Sequence, residues 1–174
     1  MQSALSCLWA AAGVEGCYGR VGGNPSRHVP VPCTVKSLAG HGFLHGVVRV
    51  PGVALIVCGA VAVRPDEGEF WAESLAFYLP LGALSEADPR VSGYPAEKDG
   101  GAGSFGWRAP IDAWLAEIGR QIFAVVQFQL GVIGWEVSAT LDAQELGGNV
   151  PDDRGQTGYL MPWAEGLEVH LATS

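Results

Sequence analysis

VALIVCGAVAVRPDEGEFWAESLAFYLP, residues 53–80, is the stretch on which the fold turns. From Val53 to Val63 every residue is apolar or glycine, so both faces suit burial, as in a central strand covered on two sides. A buried helix would have a similar composition, but the β-branched residues, and Gly59 as a place for a bulge, favour a strand. Pro65 then presets a turn and Gly68 can take positive φ, so RPDEGE reads as a hairpin connection. In the returning segment Trp71, Glu73, Leu75, Phe77 and Leu79 share one face, and Phe70, Ala72, Ser74, Ala76 and Tyr78 the other. Residues 69–79 also carry a helical stripe, Phe70, Trp71, Ser74, Leu75 and Tyr78, with Asp66 and Glu69 placed as a capping box. Strand is preferred, because the aromatic content and the turn agree with each other.

Upstream, the β-branched run Val47 to Val50 is closed by Pro51 and Gly52 and reads as a short strand. Downstream, Pro110 suits a first helical turn, and Ile111, Trp114, Leu115, Ile118, Ile122 and Phe123 recur at spacings of three and four. From Val126 to Val137 the period changes to alternation, which predicts a long strand with Gly131 and Gly134 allowing a bulge. A polar loop follows, and GYLMPW and LEVHLA form two terminal strands around a turn at Glu165 and Gly166. The expected class is α+β, a mainly antiparallel sheet packed by one principal amphipathic helix over about 110–124, all around one apolar interior.

Residues 1–45 are rich in Gly, Pro and Arg, nearly free of acid, and lack a clear period. They read as a poorly patterned N-terminal arm or leader before a single globular domain, 46–174. SALSCLWAAAGV has no basic residue ahead of it, a poor match to a secretory signal. The apolar run at 53–63 is well short of the ~20 residues a helix needs to cross a bilayer. No membrane association is expected. Cys7, Cys17, Cys33 and Cys58 are spaced too widely for a CxxC redox or zinc motif, and a core of this size needs no disulfide scaffold, so reduced thiols in a cytoplasm are expected.

The net charge of −8 is unevenly distributed. Residues 1–65 carry five basic side chains and one acidic, +4, whereas residues 66–174 carry five basic and seventeen acidic, −12. The acidic part would repel a phosphate backbone, so nucleic acid is not expected, and a basic protein surface would be steered toward it.

Motifs for chemistry fail on context. Gly101, Gly103 and Gly106 spell GxGxxG, but no strand feeds them and three residues separate them from Pro110, so no cofactor is expected. His41 and His45 have the helical zinc spacing, but glycines at 40, 42 and 46 oppose a helix, so no metal is expected. Glu136 and Glu73, each among apolar residues, are the candidate general acids or bases, because burial raises a carboxyl pKa. Trp107, Arg108, Asp152 and Asp153 are the candidate binding residues, an aromatic and charged set on segments without a regular period. The expected function is a non-enzymatic acidic protein-binding module, comparable in size and charge to bacterial immunity or inhibitor proteins that cover basic toxins. The alternative is a small carboxylate-dependent hydrolase with a pocket under residues 85–109.

Overall fold

The computed structural model describes residues 1–20, 27–63, 73–88, 90–91, 107–135, 137, 143–144, 146–164 and 166–173. Four helices and eight strands lie among them: α1 (Gln2–Ala12), β1 (Glu15–Arg20), β2 (His28–Pro30), α2 (Val35–His41), β3 (Leu44–Arg49), β4 (Leu55–Val63), β5 (Ser74–Tyr78), α3 (Leu81–Ala87), α4 (Ala109–Val125), β6 (Gly131–Ile133), β7 (Gly158–Trp163) and β8 (Gly166–His170). The class is α+β, and every strand pair is antiparallel.

The 53–63 run forms β4, second from one edge of a five-stranded sheet ordered β2-β1-β3-β4-β5. Its side chains alternate. Ile56, Cys58 and Ala60 are buried, whereas Leu55 and Val57 are about half exposed, so the expected double cover is absent from this end of the strand. β5 confirms the strand assignment, pairing from Gly59↔Tyr78 to Val63↔Ser74 and placing Leu75 and Phe77 against the core beside Ala62 and Ala60. The strand is thus shown over Ser74–Tyr78, while residues 64–72, with the turn, Glu69, Phe70, Trp71 and Ala72, lie outside the described residues.

The expectation of one principal helix is corrected. α4 is present as expected, and α1 packs alongside it, with the Cys7 thiol donating to the carbonyl of Gln121 at 3.4 Å. Leu5, Leu8, Trp9 and Ala12 are spaced as one helical face, and all are buried with Leu44, Val48, Ile56, Cys58 and Ala60. Residues 1–20 and 27–45, where the sequence shows no clear period, thus supply two helices, two strands and part of the main core. β1 joins β3 through an irregular register, Glu15↔Val47 then Tyr18↔His45, with Gly16 at φ 70° supplying the bulge. Across from it Gly46 must be glycine, because a Cβ there would stand 2.9 Å from the carbonyl oxygens of Glu15 and Gly16.

The long strand expected over 126–137 is also corrected. α4 runs on to Val125, Val126 caps it by donating to the Ile122 carbonyl, and ladder pairing is confined to Gly131–Ile133. α4 serves both sheets. Ile111 and Ile118 belong to the main core, while Ala116 packs with Ile133 and Leu160 of the three-stranded sheet β6-β7-β8, and Leu115 touches both clusters. The buried interior is therefore two clusters joined across one helix. Leu81–Ala87 is the short helix α3, which takes in the first residues of the 85–109 segment and is closed by Asp88, whose carboxylate the Arg90 guanidinium holds below the usual range.

Candidate functional site

The hairpin of β7 and β8 has two chemically different faces. Leu160, Leu167 and Val169 point at α4. The register Tyr159↔His170, Met161↔Glu168 and Trp163↔Gly166 puts Tyr159, Met161, Trp163, Glu168 and His170 together on the other face. Residues 146–157 fold over this face, and their ties to the C-terminal segment hold them there. Arg154 Nε donates to the Leu171 carbonyl at 2.9 Å, and the Thr173 amide donates to the Gly155 carbonyl at 3.0 Å. Under this cover Tyr159 and Met161 are buried, each 8% exposed.

Between the cover and the hairpin lies an open cleft of about 230 Å³, lined by Asn149, Val150, Asp152, Arg154, Met161, Trp163, Glu168 and His170. At its rim Trp163 is 68% exposed, the most exposed of the large hydrophobic side chains described. Its cross-strand neighbour is Gly166, which has no side chain to cover the ring, and the turn at Ala164 takes a positive φ of 45° to bring the chain back. Glu168 accepts from His170 Nε2 at 3.2 Å when the imidazole is protonated or carries its hydrogen there, and more than half of the glutamate side chain remains in solvent. Residues 146–174 hold four carboxylates, Asp152, Asp153, Glu165 and Glu168, against the single cation Arg154. An exposed indole beside carboxylates in a concave surface is chemically suited to a cationic side chain, held by the ring face and the negative charge together.

The residues singled out by sequence fall in different places. Asp152 lines the cleft, and Asp153 stands next to it, exposed, accepting the Gly155 amide at 3.2 Å to shape the turn. Trp107 packs edge-on against Trp135 at a centroid separation of 6.1 Å, beside the main core. Arg108 is buried at the start of α4, where its guanidinium pairs with Asp112 one helical turn on at 2.9 Å and donates to the Gln156 carbonyl at 2.6 Å. Burial pushes the Asp112 carboxyl up, and Arg108 pulls it part of the way back. Arg108 thus ties α4 to the covering segment, and its Nη1 is buried without a hydrogen-bond partner.

Glu73 is exposed just ahead of β5 and does not line the cleft, and Glu136 lies outside the described residues, as do the three glycines of the GxGxxG match. His41 sits in the last turn of α2, its Nδ1 2.8 Å from the Arg20 carbonyl, while His45 is on β3, so the two do not share a helix. No group of three or more His, Cys, Asp or Glu side chains among the described residues is placed to hold a metal. No helix among them is long and apolar enough to cross a membrane. Of the residues that line the cleft, only Asp152 is among the candidates that sequence singles out, whereas Met161, Trp163, Glu168 and His170 on the hairpin are not. Their signal was present as the alternation of the two terminal strands, which fixes a shared face once the hairpin is accepted. Comparison with known protein families, curated proteins and solved structures finds no match to this chain.

Proposed function

We propose that this protein is a non-enzymatic binding module, immunity or inhibitor-like, that holds a basic protein partner through the cleft on the β7–β8 hairpin. The observation that carries the proposal is Trp163, exposed over a concave surface whose nearby carboxylates include Asp152 and Glu168. Exposed aromatic anchors surrounded by polar residues concentrate binding energy at protein interfaces, and the surplus of carboxylates would steer a cationic segment toward the ring. The hydrolase alternative requires a carboxylate held in a pocket, and the exposed position of Glu73 lends it no support.

The test uses the purified full chain against an arrayed set of Lys- and Arg-containing peptides at low and raised salt. Binding is expected to weaken as salt rises and to fall on the order of tenfold or more in Trp163→Ala, as expected for an interface hot spot. Glu168→Gln should lose less affinity and show a shallower salt dependence. Absence of any cationic ligand at low salt, or equal binding by Trp163→Ala, would overturn the proposal.

A further inference from the structure

Cys17 and Cys33 occupy the two arms of one short hairpin. β1 and β2 pair as Tyr18↔Pro30, and the Val31 amide donates to the Cys17 carbonyl at 2.9 Å, so Cys17 stands opposite Val31, two residues ahead of Cys33. Beyond β2 the chain bends sharply, the Thr34 amide donating to the Pro32 carbonyl at 2.9 Å. Gln2 holds the bend from α1, its side chain donating to the Cys33 carbonyl and accepting from the Val35 amide. The hairpin and the bend bring Cys33 close enough to Cys17 for a charge on the Cys17 sulfur to act on the Cys33 thiol. Both are half-buried against the main core, within reach of a small reagent. The other two cysteines are differently placed: the Cys7 thiol donates to the Gln121 carbonyl, and Cys58 is fully buried in β4.

We infer that Cys17 and Cys33 form a dithiol that closes to a disulfide when the protein meets a small-molecule disulfide such as oxidised glutathione. The Cys17 thiolate attacks one sulfur of the oxidant, forming a mixed disulfide and releasing one glutathione thiolate, which takes up a proton. Cys33 then loses its proton and attacks the Cys17 sulfur, forming the Cys17–Cys33 bond and releasing the second glutathione. Two protein thiols are oxidised and one small disulfide is reduced to two thiols.

The order of attack follows from the surroundings. Burial raises both thiols, and the Cys17 charge pushes Cys33 further, to about 12, so Cys17 ionises first. Once Cys17 is in the mixed disulfide it no longer carries that charge, and Cys33 ionises more readily. The reaction is accordingly slow at neutral pH and faster in mild alkali. The product ties β1 to the segment before α2 and closes the chain between them, which restricts the unfolded state.

The full reduced chain is incubated with oxidised glutathione in mild alkali, the exchange is quenched in acid, the remaining thiols are alkylated in denaturant so that the buried Cys58 reacts, and the chain is digested without reductant for mass spectrometry. The expected result is a peptide pair joined through Cys17 and Cys33, with Cys7 and Cys58 alkylated and the protein lighter by two hydrogens before alkylation. In Cys33→Ser, Cys17 is expected to remain as a stable glutathione adduct. Four alkylated thiols, or a wild-type adduct at Cys17 as persistent as that of Cys33→Ser, would overturn the inference. Because the wild-type map decides the matter alone, the inference stays testable if the variant does not fold.

Discussion

Replacing Arg108 by leucine should expose how the two buried clusters are held together. In the native protein the guanidinium meets Asp112 at 2.9 Å, and the two residues are only 5% and 6% exposed. Without the cation a buried carboxylate cannot stay charged, and its least unfavourable course is to take a proton. Keeping a carboxyl of ordinary pKa 3.8 neutral at pH 7 costs about 1.4 kcal/mol for each of roughly three pH units, or about 4 kcal/mol. Relief of the unpartnered Nη1 and the packing of leucine offset a part, so a loss of about 3–4 kcal/mol is expected at pH 7.

At pH 5 the same carboxyl is close to its ordinary range, and the loss should shrink to below about 2 kcal/mol. Urea unfolding followed by tryptophan fluorescence at the two pH values measures both quantities. The double replacement Arg108→Leu with Asp112→Leu should recover most of the stability, since neither charge is then buried alone. Asp112→Asn, by contrast, leaves a guanidinium that cannot shed its proton, and its loss should not ease in acid. A loss under about 1 kcal/mol at pH 7, or one equal at both pH values, would refute the reasoning.

Three further outcomes are expected. Leu5→Ala, at a fully buried position of α1, should cost about 2–5 kcal/mol by chemical denaturation, whereas a peripheral arm would tolerate it within about 0.5 kcal/mol. Gly46→Ala drives a methyl against the carbonyls of Glu15 and Gly16, so thermal unfolding should report a loss of about 1–3 kcal/mol despite the smallness of the change. Burial, and then the neighbouring His28, lower the His45 pKa, so the unfolded chain takes up a proton more readily than the folded one. The resulting stability is present above the ordinary value of 6.5 and is lost as pH falls from there through the lowered value. Urea midpoints across that window should slope for the native protein and flatten in His45→Gln.

Much of the local structure was legible because period reports which face a segment buries. The apolar run at 53–63, the alternation of residues 74–78, the stripe of α4 and the two terminal strands each stand where sequence puts them. Alternation misled at 126–137, where α4 persists to Val125 and only three residues find a strand partner. The Leu5, Leu8, Trp9 and Ala12 stripe was open to inspection too, yet its meaning depended on α4 and the sheet lying beside it. Long-range meetings leave no such trace. Cys17 reaches Cys33 through a hairpin register and a bend, Arg108 reaches Gln156 across the fold, and Asp152 joins Trp163 and Glu168 because a loop is pinned over a hairpin face. Composition and period alone determined an acidic α+β chain with these strands and this helix, since burial of a face is a local demand. Which surfaces came together, and hence the cleft and the thiol pair, was decided only by tertiary packing, because register and side-chain complementarity act between residues far apart in the chain.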